Sequence, residues 1–151
     1  MFRIPKKLLF AIEAVLDIAY HAGSAPVQSR EITERQGIPR RYLEQVMQHL
    51  VRAKILSGVR GPRGGYRLAR ERRRITIGEI VRVVRAMERH EEALENEGGS
   101  ELGQKIVRVI WADSQKEFME RLDAITIEDL CRRAQDAGIR SEASAKLDYT
   151  I

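Results

Sequence analysis

The most constraining feature of this chain is a change of hydrophobic period within residues 29–70. Two short helical patterns lie either side of a tight turn, and a glycine-rich pair of strand-like segments follows directly. Ser29 predicts an N-cap for a short helix over 30–36, with Glu31 near its positive end. Gly37 stops that helix, and Pro39 opens the next, over about 39–54. In this second helix Leu43, Val46, Met47, Leu50 and Val51 form one apolar stripe. Arg41, Gln45, Gln48 and Arg52 fall on the opposite side, flanked by Tyr42, Glu44 and His49. A core stripe backed by a row of hydrogen-bonding groups, after a short helix and a tight turn, is helix-turn-helix grammar. Residues 56–60 and 66–69 then predict two strands joined by Gly61-Pro62-Arg63-Gly64-Gly65. A basic hairpin directly after such a helix is a wing, here about 56–69. Arg60 and Arg63 stand at its tip, within reach of phosphate or a minor groove.

Charge supports this reading through its distribution. The net formal charge is +5 over 151 residues. Residues 40–74 alone carry eleven basic and two acidic side chains, a local +9, whereas residues 75–151 carry eleven basic and sixteen acidic. A concentrated positive field is what binding to a polyanion requires, because phosphate neutralisation releases counterions. Hydrophobic residues make up 43% of the chain and charged residues 32%, the balance of a globular protein. No apolar run is long enough to span a bilayer, and Glu13 and Asp17 break the N-terminal apolar stretch that a signal peptide would need. A cytoplasmic location is therefore expected. The single cysteine, Cys131, excludes an internal disulfide and suits a reducing compartment.

The flanking segments read as follows. Residues 6–22 predict an amphipathic helix, with Leu8, Ile12, Val15, Leu16 and Ala19 on one face and Glu13 and Asp17 on another. Thr76 and Glu79 suggest a capping box for a helix running to about 89, with Ile75 stapled to Ile80. Residues 90–100 are acidic, end in glycines, and read as a hinge loop. A long helix over 101–122 carries Leu102, Ile106, Val109, Ile110, Phe118 and Leu122 on one broad face, with Val107 and Trp111 on another. Apolar surface on two sides points to two packing partners, one of them a second subunit. Residues 125–130 repeat the helix-start chemistry of 75–80 and open a last helix to about 135, leaving 136–151 as a loose tail. The fold class expected is mainly α with a small β-hairpin wing. The division is 1–89 as a DNA-binding domain, 90–100 as hinge, 101–135 as the dimerisation helix and last helix, and 136–151 as tail.

These motifs resemble one known group. Glu31-Ile32-Thr33-Glu34-Arg35-Gln36-Gly37-Ile38, Tyr42-Leu43-Glu44-Gln45, and Val59-Arg60-Gly61-Pro62-Arg63-Gly64-Gly65-Tyr66-Arg67-Leu68-Ala69 are similar to the Rrf2 family of bacterial transcription regulators. So are 75–80, Ile110-Trp111 and Ile125-Thr126-Ile127, and the likeness runs from residue 1 to about 135. The resemblance implies a winged-helix domain, a long dimerisation helix, and a homodimer on pseudo-palindromic double-stranded DNA. It also implies that Tyr42, Glu44 and Gln45 read bases and that Arg60 enters the minor groove. The DNA-contact set expected is Ser29, Arg40, Arg41, Tyr42, Glu44, Gln45, Gln48, Arg52, Arg60, Gly61, Pro62, Arg63 and Gly64. Many members hold an iron–sulfur cluster on three cysteines ahead of the long helix. Here that segment has none, and the positions nearest the helix fall on Lys105 and Arg108, cations that cannot ligate iron. No cofactor and no metal are expected.

Other readings of the same residues are weaker. Gly61-Pro62-Arg63-Gly64 matches the GXXG loop of KH RNA-binding domains, but that loop joins helices and this one joins strands. His90 among Glu91, Glu92, Glu95 and Glu97 lacks metal-ligand spacing and reads as a solvated segment. Tyr42 serves equally as a phosphate contact or as a partly buried prop, and Glu44 either pairs with its helical neighbours or accepts from a cytosine amino group. No nucleophile–base grouping stands out, so no enzymatic activity is expected. Two rival functions stay open: an iron–sulfur or thiol redox-sensing regulator using Cys131 with non-cysteine ligands, and an interaction module controlled by a partner or small molecule near the acidic hinge.

Overall fold

The computed structural model describes residues 3–95 and 99–143. Helix α1 (Lys6–His21) forms the central rod, packing against α2, α3, α4, α6 and the second strand of the wing. Its buried positions, Ala11, Ala14, Val15, Ile18 and Ala19, are mostly small, which lets neighbouring elements approach closely. Asp17 departs from the expected polar face. It is 2% exposed, and its carboxylate accepts from Arg35 Nε (2.9 Å) and Nη2 (2.8 Å) and from Gln36 Nε2 (2.8 Å). A buried carboxylate is tolerated because a bidentate guanidinium and an amide replace its water. The pair joins α1 to the end of α2 (Ser29–Gln36).

Helix α2 begins one residue earlier than expected. Ser29 lies inside it, and the N-cap is Gln28, whose N–H donates to the Glu31 carboxylate at 2.8 Å. Gly37, in the left-handed region (φ 65°), closes the helix by donating to the Thr33 carbonyl. Helix α3 (Arg40–Arg52) follows, with Pro39 as its N-cap rather than its first residue. Leu43, Val46, Met47 and Leu50 are buried, as the stripe predicts. Past its end Lys54 holds φ 60°, a conformation that costs a side-chain-bearing residue about 1 kcal/mol. Lys54→Gly is therefore expected to stabilise the fold by about 0.5 kcal/mol, once glycine's greater unfolded-state entropy is set against that gain. A lowered melting temperature would show that the side chain earns its conformation through contacts.

Strands β1 (Leu56–Val59) and β2 (Gly65–Leu68) pair antiparallel, with Leu56 opposite Leu68 and Val59 opposite Gly65. Val27, ahead of α2, bridges to Tyr66, donating to its carbonyl at 3.0 Å and accepting from its N–H at 2.7 Å. The hairpin is thus tied, one residue pair from its turn, to the entry of the helix-turn-helix.

Helix α4 (Ile77–Glu95) runs six residues beyond the expected end at 89, so the first half of the anticipated hinge is helical. Residues 96–98 of that hinge, and the side chains of His90 to Glu95, lie outside the described residues. Helix α5 (Arg108–Asp123) is preceded by a wider π-helical stretch, Gly103–Val107. Helix α6 (Ile127–Asp136) closes the chain's main body. The helix-start chemistry repeated at 75–80 and 125–130 has a structural consequence. The two starts pair through an antiparallel bridge between Thr76 and Thr126, with Ile77 N donating to Ile125 O and Ile127 N to Ile75 O, both at 2.9 Å. Only the second is a complete capping box, between Thr126 and Asp129. At the first, Thr76 Oγ1 accepts from Glu79 N (3.2 Å), but the Glu79 carboxylate is drawn away to Arg70 (2.7 Å).

The start of the expected loose tail is docked. Beyond α6, Tyr20 donates to the Ile139 carbonyl, Ser141 Oγ donates to Tyr20 O (2.7 Å), and Glu142 N donates to His21 Nδ1 (3.0 Å). Burial lowers the His21 pKa, against the opposing pull of Asp17, and so favours the neutral ring that can accept this bond. Residues 144–151 lie outside the described residues.

Candidate nucleic-acid interface

The outer face of α3 carries the predicted polar row. Arg40, Arg41, Glu44, Gln45, Gln48 and Arg52 are all exposed, because the apolar stripe is fully committed to the core beneath them. Arg40 Nε lies 3.1 Å from Glu44 Oε1, an exposed pair worth little in water and readily exchanged for a better partner. Glu44 thus realises the helical-neighbour pairing in the unliganded protein.

Tyr42 takes the role of prop. It is half-buried, packs against Phe10 with ring centroids 6.1 Å apart, and donates its hydroxyl to the Lys7 carbonyl at 2.5 Å. Burial, helped by the nearby charge of Glu88, pushes its pKa up to about 12, so the hydroxyl stays protonated as a donor. This bond fixes α3 against the first turn of α1 and sets Arg3, Lys6 and Lys7, all exposed, at the start of the helix that Tyr42 grips. Sequence reasoning missed that proximity, since 35 residues separate Tyr42 from Lys7.

The wing tip presents Arg60, Gly61, Pro62 and Arg63 to solvent, with Gly64 half-buried behind them. Gly61 adopts φ 112°, a region essentially reserved for glycine, and its carbonyl accepts from Gly64 N at 2.9 Å. A Cβ on Gly64 would lie 2.2 Å from the Val59 carbonyl oxygen, so the turn closes only with glycine there. Neither Arg60 nor Arg63 meets a carboxylate among the described residues, which leaves both guanidiniums available to an external anion. Ser29 is half-buried at the start of α2.

Residues 4–133 match the Rrf2 family, described as iron-dependent transcriptional regulators. The chain belongs to the Rrf2 family. Two curated relatives are named HTH-type transcriptional regulator IscR. The one from Sodalis glossinidius is 35% identical over 85% of this chain and 78% of its own length. The one from Pectobacterium carotovorum is 32% identical over 99% of this chain and 96% of its own length. Among solved structures, T. potens IscR superposes with a TM-score of 0.73 at 34% identity, covering 93% of each chain. CymR, the global cysteine regulator of B. subtilis, gives 0.63 at 27% identity over 88% of this chain and 98% of its own. This Rrf2 protein is a DNA-binding transcriptional regulator with a winged helix-turn-helix fold, and not an enzyme. No described helix is long and apolar enough to cross a membrane.

The family description raises the question of iron. The residues of this Rrf2 protein do not fit an iron–sulfur cluster, which needs several thiolates. Its one cysteine, Cys131, is 1% exposed within the core cluster, and burial raises its pKa against the opposing pull of Arg72. Ahead of α5, Lys105 is paired with Glu101 at 2.6 Å. Among the described residues no three His, Cys, Asp or Glu side chains converge as ligands.

Helix α5 is the second notable surface. It has no buried residue in this single chain. Leu102 (75%), Ile106, Val109, Ile110 (63%) and Phe118 are exposed, and Leu122 is half-buried. Val107 and Trp111 are exposed as well. The helix is anchored at its end, where Arg82 Nη1 and Nη2 donate to the two Asp123 carboxylate oxygens at 2.6 and 2.7 Å. That bond holds the Asp123 carboxyl below its ordinary range.

Proposed function

We propose that this protein is a homodimeric repressor that binds a pseudo-palindromic operator in the cytoplasm without a resident cluster or other cofactor. The observation that carries the proposal is the juxtaposition of α3's exposed polar row with a wing whose two tip arginines meet no carboxylate among the described residues. Arg40, Arg41, Arg52 and Arg63 supply affinity through phosphates, while Glu44, Gln45 and Gln48 select bases. Tyr42 contributes by holding α3 in place. Support for the dimer comes from α5, whose apolar side chains are left in water by one chain alone. A two-fold dimer through this helix would present two reading heads to two half-sites.

Selection of bound duplexes from a random pool, with the purified protein, tests the reading. A two-fold symmetric site is expected. Enrichment of no sequence, or of a single asymmetric half-site, would overturn it. Glu44→Ala is expected to broaden the base preference at one position per half-site while changing total affinity by less than about threefold, because the lost carboxylate acts mainly against wrong bases. An identical selected site would remove that role. Ile110→Glu is expected to yield a monomer in sedimentation equilibrium, since a charge on each subunit would be buried against its symmetry mate. A dimer of unchanged strength would place the interface elsewhere.

A further inference from the structure

An open groove of about 550 Å³ lies along the wing strand at Tyr66, Arg67 and Leu68, away from the wing tip. That volume falls in the range of small-molecule sites. Its apolar side is built of short side chains, Ala19, Ala22, Ala25, Val27 and Leu68. Its polar side is guanidinium-rich, with Arg67, Arg70, Arg72 and Arg73 against only Glu71 and Glu128. Three of these cations are matched within the fold. Arg70 holds Glu79 at 2.7 Å, Arg72 holds Glu128 at 2.5 Å, and Arg73 holds Glu71 at 2.5 Å. Arg67 is different. It donates to the Ser24 carbonyl at 2.7 Å and meets no carboxylate among the described residues. The groove therefore pairs an apolar floor with one uncompensated guanidinium that is already oriented by a neutral acceptor.

We propose that this groove is an effector site for a small organic anion, a carboxylate or phosphate monoester held by Arg67 with a short apolar body against Ala22, Val27 and Leu68. A charged acceptor outcompetes a peptide carbonyl on Arg67, because a carboxylate or phosphate adds its own charge to the guanidinium's and can take two parallel N–H bonds where the carbonyl takes one. Occupancy would draw Arg67 from Ser24. Ser24 and Val27 lie on the same short loop, and Val27 is hydrogen-bonded in both directions to Tyr66, the wing residue beside Arg67. The ligand thus sits where the loop leading into α2 meets the strand leading from the wing tip, and its binding shifts the wing relative to α3. This coupling rests on the operator-binding reading above.

Isothermal titration of the full chain without DNA, using butyrate, butyl phosphate and inorganic phosphate, reads the site directly. One of the organic anions is expected to bind saturably with one site per chain, and inorganic phosphate at least tenfold more weakly for want of an apolar body. Arg67→Met, which keeps the stem and removes the charge, and Ala22→Leu, which fills the floor, are each expected to weaken binding at least tenfold with an unchanged melting temperature. The selected duplex is then titrated with and without the saturating probe. At least a threefold change in affinity is expected in the unmodified chain, and none in Arg67→Met. Absence of saturable heat, heats equal in both variants, or binding that leaves DNA affinity unchanged would overturn the proposal. So would Arg67→Met weakening DNA binding while leaving the anion heat intact, which would make Arg67 a phosphate contact. Failure of the duplex to bind without any probe would instead strike at the operator reading, and the two failures are separately visible.

Discussion

Replacing Arg60 with Ala is expected to lower affinity for the selected duplex about ten- to hundredfold, in line with about 1–3 kcal/mol for a well-placed arginine on DNA. The side chain stands on a turn whose shape is fixed by Gly61 and Gly64, so little flexibility is lost when it binds. It also makes no ion pair among the described residues that a phosphate would have to displace. The slope of log affinity against log salt should fall by about 1 for each phosphate contact removed. A direct base or minor-groove contact would instead change affinity and sequence preference together. Titration at several salt concentrations separates these cases. Unchanged affinity at physiological salt would show that the hairpin does not act as a DNA-contacting wing.

The second large effect is on stability. Asp17→Ala is expected to cost about 3–5 kcal/mol, because it strands the Arg35 guanidinium and the Gln36 amide beside a new void. For a chain of this length that corresponds to a fall in melting temperature of about 10 °C or more. The double replacement Asp17→Leu with Arg35→Met should recover part of the loss, since an apolar pair removes the stranded guanidinium while the Gln36 amide still lacks its acceptor. If the single variant melts within about 2 °C of the original, the buried cluster is not what joins α1 to the helix-turn-helix.

The helix-turn-helix and wing were legible because their signals are local. The stripe of Leu43, Val46, Met47 and Leu50 and the Gly61–Gly64 turn each depend on residues a few positions apart. Element ends shifted where a neighbour competed. Ser29 yielded the cap to Gln28, and Glu79 left its capping box for Arg70. What could not be read was long-range. Asp17 looked like a surface acid because its partner lies 18 residues away, although its apolar helical neighbours were a clue. The bond from Tyr42 to the Lys7 carbonyl spans 35 residues and has no local sequence signal. Arg67 is one of eleven basic residues in 40–74, and only the fold shows which of these are already matched by carboxylates.

The bridge between Thr76 and Thr126, with α6 set against α1, bears on how the protein is made. Ile127 and Cys131 complete the same core as Ala11, Val15 and Ile18, more than a hundred residues earlier in the chain. A nascent chain that has emerged only as far as the wing therefore carries α3 on an unfinished core. The last contacts to close are also those of greatest sequence separation, the slowest kind to form. Synthesis thus completes the core beneath α3 only once α5 and α6 have been built.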